Sequence, residues 1–306
     1  MSIWVCGEVL VDRFGDTATL GGGPANTARA LARLGHDVEF IGGISSDQFG
    51  VKAREVFSLD KVGLRHAHES EKPTAIASVS LNASGVATYK FDTSETATFD
   101  FATEWLPDPS RFKPSILHIG SLATVIQPGA SALIEWATEV SEFAPIFFDP
   151  NVRPAALNDR SRYVEIFERW ASISSIIKAS DEDISWLYPD QGINEIASRL
   201  ADLGHQLFVL THGDRGISAF THEEEVQVEA VAVKVVDTVG AGDTAGATII
   251  DAILRHGILN LREALLRETL NCAVHAAAIT CSRTGAQPPT RSEVDAAIER
   301  SRNAIH

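Results

Sequence analysis

An α/β fold with a mostly parallel central sheet, helices on both faces and a small antiparallel β lid is what the sequence predicts. Three observations carry that expectation. Short apolar runs rich in Val, Ile and Phe alternate with helical patterns, as they do when a parallel sheet is covered on both faces. One segment, residues 72–92, instead alternates with period two around a turn. The 306 residues suffice for one large core, and no repeat, low-complexity block or linker divides them.

Taken in order, "SIWVCGEVLVD" (residues 2–12) reads as a single buried strand. "PANTARALARLG" reads as a helix stopped by Gly35, and "DVEFIGG" as a strand. In residues 72–92, Ala75, Ala77, Val79 and Leu81 share one face, "NASG" turns the chain, and Val86 to Phe91 alternate on the way back, giving an antiparallel hairpin. The strands "SILHIGS", "APIFFDP", "SSIIKAS", "QLFVLTHG" and "GISAFT" follow, with helices "GASALIEWATEVSEF", "RSRYVEIFERWA" and "INEIASRLADLG" among them. "HEEE", His222–Glu225, reads as a hairpin tip, and a helix is expected to begin at about Thr244.

Composition narrows the function. The formal net charge is −15, which argues against a broad nucleic-acid or anionic-membrane surface. It leaves room for a small anionic ligand, because local N–H groups and a metal ion outweigh distant charge. Cys6, Cys272 and Cys281 form no CxxC pair, so neither a disulfide framework nor a zinc knot is expected, and a reducing, cytoplasmic setting fits. The N-terminus has no basic n-region and meets Glu8 and Asp12 early, unlike a signal peptide. "HAHE", His66–Glu69, is expected to be a solvated loop rather than a metal site, and no GxSxG is present for serine hydrolase chemistry.

The chemistry concentrates in a few stretches. In "DTVGAGDTAG", Asp237–Gly246, glycines precede a helix start, where amides converge on an anion. Asp243 there fits two readings, a helix cap or a base that accepts a proton from an attacking hydroxyl. "GGGPANTARALARLG", Gly21–Gly35, matches neither GxGxxG nor a P-loop, yet it lets a ligand lie against bare backbone, with Asn26 offering a donor and an acceptor. Asp12 ends "GEVLVD", where a carboxylate can hold two hydroxyls or simply be solvated. Ser180 and Asp183 in "KASDEDISWL" have capping-box-like spacing and also suit a hydrated Mg2+. Thr211, Gly213 and Gly216 follow a strand, as do Asp149, Asn151 and Arg153, at the kind of strand end that carries ligands in α/β sheets.

In this order the stretches resemble the PfkB (ribokinase-like) family of sugar kinases over nearly the whole chain. "DTVGAGD" is the most specific part, then "GGGPANTARALARLG" and "GGISSDQFG". "GEVLVD", "DPNVRP" and "SDEDISWL" are most similar to bacterial fructokinases. The resemblance implies one ribokinase-like domain over residues 1–306, with a lid at about 12–20 and 72–98 that makes a homodimer in many members. It implies Asp243 as catalytic base and the amides of Gly240, Ala241, Gly242 and Asp243 as an anion hole. Asp12, Gly22, Gly23, Asn26, Phe91 and Arg153 would hold the sugar. Ser180, Thr211, Gly213, Gly216 and Asn271 would border ATP. Asp183 would reach Mg2+ through water, and Asp237 and Val239 resemble a monovalent-cation loop for K+.

Two departures bear on the substrate. Asp92 and Thr93 stand where sugar-acid kinases and many fructokinases carry Tyr-Arg, which favours a neutral sugar, and Ala245 replaces a common aromatic residue. The implied reaction is ATP-dependent phosphorylation of a primary hydroxyl, D-fructose first. A 2-keto-3-deoxygluconate, ribose or nucleoside kinase comes next, and a sugar-binding regulator without catalysis is a different class. A dinucleotide-dependent oxidoreductase is disfavoured by the glycine spacing at 21–23 and by Asn26.

Overall fold

The computed structural model describes residues 2–15, 17–81 and 87–304. The chain divides into two compact units, Met1–Ala25 with Asp37–Ile173 and Asn26–His36 with Ser174–His306.

In the first unit, parallel strands run in the order Ile146–Asp149, Leu117–Gly120, Ile3–Cys6, Val38–Ile41. Every residue of all four is buried, which is why they read as mostly apolar runs rather than alternating ones, with Glu39, His118 and Asp149 as buried polar exceptions. Aromatic stacking fills the layer beside them. Trp4 lies 5.8 Å from Trp136, and Phe148 packs on both Phe167 and Trp170. The helices Gln48–Asp60, Gly129–Ser141 and Arg160–Ala171 belong to this unit. Asp47 caps the first of them through the Phe49 and Gly50 amides, and the same carboxylate also binds the amide and hydroxyl of Thr74, at the root of the lid.

The lid is a separate four-stranded sheet, ordered Thr17–Gly21, Leu10–Phe14, Ile76–Leu81, Ala87–Asp92. The expected hairpin is present, with Ala77 opposite Phe91, and pairing ends at Asp92. Its "NASG" turn and Val86 lie outside the described residues.

Two expectations need correction here. The stretch 2–12 is not one strand. It breaks after Cys6, and Leu10–Phe14 joins the lid sheet instead. Gly7 makes the break with φ +150, and a Cβ there would sit 2.3 Å from Pro24 Cγ. "HAHE" is no solvated loop either. His66 packs edge-on against Trp4 and Phe112, His68 stacks on Trp105 at 5.0 Å, and His68–Ser70 forms a short strand with Gly43–Ser45.

In the second unit, Ile176–Ser180 pairs in parallel with Leu207–Thr211, and Ile217–Phe220 and Glu225–Val228 extend the sheet antiparallel. The expected tip at His222–Glu225 is the turn between those last two strands. The helices are Ile193–Asp202, Ala241–His256, Glu263–Cys281 and Arg291–Ala304, with the short Asp181–Leu187 after the first strand. Buried Asp251 joins several of them, accepting from His36, Arg255 and Arg291. Burial raises its carboxyl, but those bonds and charges outweigh burial and hold it below the usual range. No helix among the described residues is long and apolar enough to cross a membrane.

Candidate active site

Gly240 opens the site in the second unit. Its φ of +79 is left-handed, and a Cβ would lie 2.7 Å from Ala286 Cβ, so glycine is required twice over. The helix begins at Ala241, three residues before the expected Thr244, because Gly240 itself takes the N-cap position. Asp243 therefore sits inside the first turn and is not the cap. Its Oδ2 accepts a hydrogen bond from Asn26 Nδ2 at 2.9 Å, so two residues 217 positions apart meet.

The expected ring of four amides is modified. The Ala241 amide is engaged in the turn with the Thr238 carbonyl at 3.3 Å. The amides of Gly242 and Asp243, second and third in the helix, have no carbonyl four residues back within it. Both lie at the positive end of a 16-residue helix. Asp237 shapes the approach, taking the Val239 amide on Oδ1 at 3.0 Å and the Gly285 amide on Oδ2 at 2.8 Å.

Sequence reasoning passed over Lys178. It lies on Ile176–Ser180, is 5% exposed, and its Nζ stands 3.2 Å from where a Cβ on Gly242 would be. A buried ammonium is thus set against the helix N-terminus. A lysine inside an otherwise apolar "SSIIKAS" strand was the available signal.

Ser180 and Asp183 form a complete capping box, with Asp183 N to Ser180 Oγ at 3.0 Å and Ser180 N to Asp183 Oδ2 at 2.9 Å. No cluster of three or more metal-binding side chains occurs among the described residues. Ser180→Ala should cost about 1 kcal/mol of stability as a lost cap. Thermal unfolding measures that cost. A shift in the Mg2+ concentration giving half-maximal rate would mean that Ser180 also serves the metal.

Thr211 ends its strand with Oγ1 3.4 Å from the Ala179 carbonyl. Gly213, at φ +60, starts the turn Gly213–Arg215. Gly216 is at φ +103, with the Val228 carbonyl 2.1 Å from any Cβ. Asn271 lies on Glu263–Cys281 and donates to the Arg267 carbonyl. One turn on, His275 Nδ1 donates to the Asn271 carbonyl at 2.8 Å, which leaves the buried Nε2 as an acceptor without a partner. His275 lines a cavity of about 370 Å³ whose walls include Val231, Val233, Ala278 and Ile279. The sequence reading had no signal for it.

The first unit holds the remaining candidates. Asp12 stands opposite Thr19 and Ala77, and its Oδ2 is 2.0 Å from where a Gly21 Cβ would be, so the missing side chain makes room for the carboxylate. Gly22 is at φ +109, and Gly23 begins the helix Gly23–Arg33. Arg153 is not a surface ion pair. It donates to the carbonyls of Asn151 and Val152 at 3.1 and 3.0 Å, while its amide binds the Tyr163 hydroxyl. Phe91 is half-buried on the lid, and the neighbouring Asp92 is exposed opposite Ile76.

Comparison with known proteins gives the family and the fold. Residues 8–293 match the pfkB family carbohydrate kinases. A fructokinase from Rhizobium leguminosarum bv. trifolii is 33% identical over 270 residues, covering 85% of this chain and 82% of its own. A fructokinase from Salmonella typhimurium is 27% identical, covering 93% and 94%. Among solved structures, a Xylella fastidiosa fructokinase with bound ATP superposes with a TM-score of 0.89 at 25% identity, over 98% of this chain and 99% of that one. A Vibrio cholerae fructokinase bound to fructose, ADP and calcium gives 0.83 at 25%, over 96% and 98%. With glycine-led helix, paired Asn26 and Asp243 and an α/β sheet in place, the chain belongs to the pfkB family of carbohydrate kinases.

Proposed function

We propose that this kinase transfers the γ-phosphoryl group of ATP to the primary hydroxyl of D-fructose, giving fructose 6-phosphate. The observation that carries the reading is the Asn26–Asp243 hydrogen bond at the N-terminus of Ala241–His256. It aims one carboxylate at the place where the helix favours an anion. In the step, the hydroxyl oxygen bonds to phosphorus, the bond from phosphorus to the ADP oxygen breaks, and the hydroxyl proton passes to Asp243. The acid is charged before transfer and neutral after it, so it does not oppose the phosphoryl group arriving at the amides of Gly242 and Asp243. Phosphoryl transfer of this kind is mostly positioning and electrostatics.

The other roles belong to the same reading. Asp12, Gly22, Gly23, Asn26, Phe91 and Arg153 take the sugar side. Ser180, Thr211, Gly213, Gly216 and Asn271 take the nucleotide side. The apolar cavity at His275 suits the flat face of a purine. Asp183 caps its own helix, and its carboxylate is the candidate to hold a metal-bound water. A lone carboxylate suits Mg2+, which keeps most of its waters and neutralises phosphate charge when bound. Asp237 spends both oxygens on amides, so any K+ at this loop would be held by backbone carbonyls that Asp237 positions. One catalytic domain acting in the cytoplasm, dimeric through the lid, completes the proposal.

Asp92 favours fructose over 2-keto-3-deoxygluconate, since an exposed acid repels a substrate carboxylate. An ADP-release assay over fructose, ribose, a nucleoside and 2-keto-3-deoxygluconate should give its highest kcat/KM with fructose. Fructose at background beside brisk turnover of another substrate would move the assignment within the family. Sugar binding without any turnover would favour the regulator.

A further inference from the structure

One buried acid of the first unit has no part in the reaction as described. Glu8 follows the strand Ile3–Cys6 and is 1% exposed. Its Oε2 accepts from the Ala123 amide at 3.1 Å, and the Ser121 hydroxyl donates to the same carboxylate. Both partners lie in the tight turn Ser121–Thr124, which Ser121 enters with φ +59. Gly22 rests directly on Glu8. A Cβ at Gly22 would be 2.5 Å from the Glu8 carbonyl oxygen and 3.4 Å from its Cγ. The positive charge of Arg153 acts on the carboxylate as well. Of the residues assigned to the sugar, Gly22 thus packs on Glu8 and Arg153 acts on it through its charge.

We propose that Glu8 is a positioning residue whose ionised carboxylate holds the Ser121–Thr124 turn and draws on the charge of Arg153 in the form that binds sugar, beneath a Gly22 packed on its own backbone and stem, an inference that rests on the sugar-kinase reading. The neighbours are all suited to the anion. Ser121, the Ala123 amide and the Glu8 amide donate, and Arg153 is a cation. A protonated carboxyl would have to fit an O–H among those donors. Burial, the largest influence, pushes Glu8 up to about 7 against the bonds and charge that lower it. The other titratable group acting on it is the Cys6 thiol, which burial and Glu8 push well up, so it stays neutral in this range.

The test is calorimetric binding of fructose without nucleotide, or of whichever sugar the assay selects. About a tenth of Glu8 is ionised at pH 6 and about nine-tenths at pH 8, so the sugar Kd should fall about ninefold between them. Glu8→Gln keeps an acceptor for Ala123 and cannot titrate, so its sugar Kd should stay flat within about twofold over that range. The Kd for ATP should not follow the pH response in either protein. Ser121→Ala, which removes a donor to the anion, should move the midpoint of the wild-type profile to higher pH, and it keeps the question open to measurement if Glu8→Gln folds poorly. A pH response surviving in Glu8→Gln, a flat wild type, an unmoved midpoint in Ser121→Ala or a parallel change for ATP each overturns the inference while leaving the kinase reading intact. A wild type that binds no sugar of the panel removes that reading, and the inference with it. Unfolding gives an independent check. A group raised above 4.5 by folding contributes stability that is present below about 4.5 and lost as pH rises through about 7. The Tm of Glu8→Gln should therefore gain on that of the wild type between pH 5 and pH 8.

Discussion

Asp243→Asn should lower kcat by about 10²–10⁴-fold, with the sugar Kd changed by less than about threefold, because a positioned general base contributes that much and the amide keeps its shape. The side chain is nearly isosteric and can present its oxygen to Asn26 Nδ2, so the 2.9 Å contact survives. On the proposed mechanism, what is lost is the ability to take the hydroxyl proton at the moment of transfer. The helix itself should persist. Its N-cap is Gly240, and an acid in the first turn adds only about 0.3–1 kcal/mol through the helix dipole. Single-turnover kinetics and calorimetry on the same preparation separate the two effects. A kcat within about threefold of wild type would remove Asp243 from the mechanism, and sugar binding lost along with rate would make it a binding residue instead.

Much of the architecture was legible because the physics behind it is local. Four fully buried strands read as apolar runs, and the helix Gly23–Arg33 announced its end at Gly35, which takes φ +97. The lid hairpin was legible for the opposite reason, its period of two. What failed was the boundary inside residues 2–12. Gly7 and Glu8 interrupt the apolar run without saying that the chain leaves one sheet for another, and the constraint responsible is the close approach of Gly7 to Pro24. The start of the last motif's helix was misplaced because glycines weigh against helix by propensity, yet Gly242 is helical here and Gly240 is the cap. The long helix Glu263–Cys281 escaped notice, and with it the His275 cavity. At the site, Gly240, Asn26 and Asp243 were each found in the sequence, but their meeting is tertiary. Lys178 and Glu8 were missed because a lone charge in an apolar run looks incidental until its burial is known.

That same burial makes Lys178→Met the more discriminating experiment, since its rate and stability effects are expected to run in opposite directions. The ammonium stands beside Gly242, where the developing charge of the transferred group would gather, and a preorganised donor of this kind is worth about 10²–10³ in kcat. Keeping a cation there has a cost in the folded state, because burying an ion loses hydration that its partners must restore. Methionine matches the length of the stem without the charge, so the variant should fold with a Tm equal to or above that of the wild type. The sugar KM should hardly move, because the sugar candidates lie elsewhere in the sequence and the lost interaction is made with phosphate. Lys178→Arg should not rescue, since a planar guanidinium is larger than an ammonium at a position only 5% exposed. Were Lys178 merely structural, the pattern would invert, with Tm falling and kcat near wild type in the folded fraction. A lysine buried on this strand, with its Nζ 3.2 Å from where a Gly242 Cβ would be, is placed to act on the charge that gathers at the head of the helix Ala241–His256.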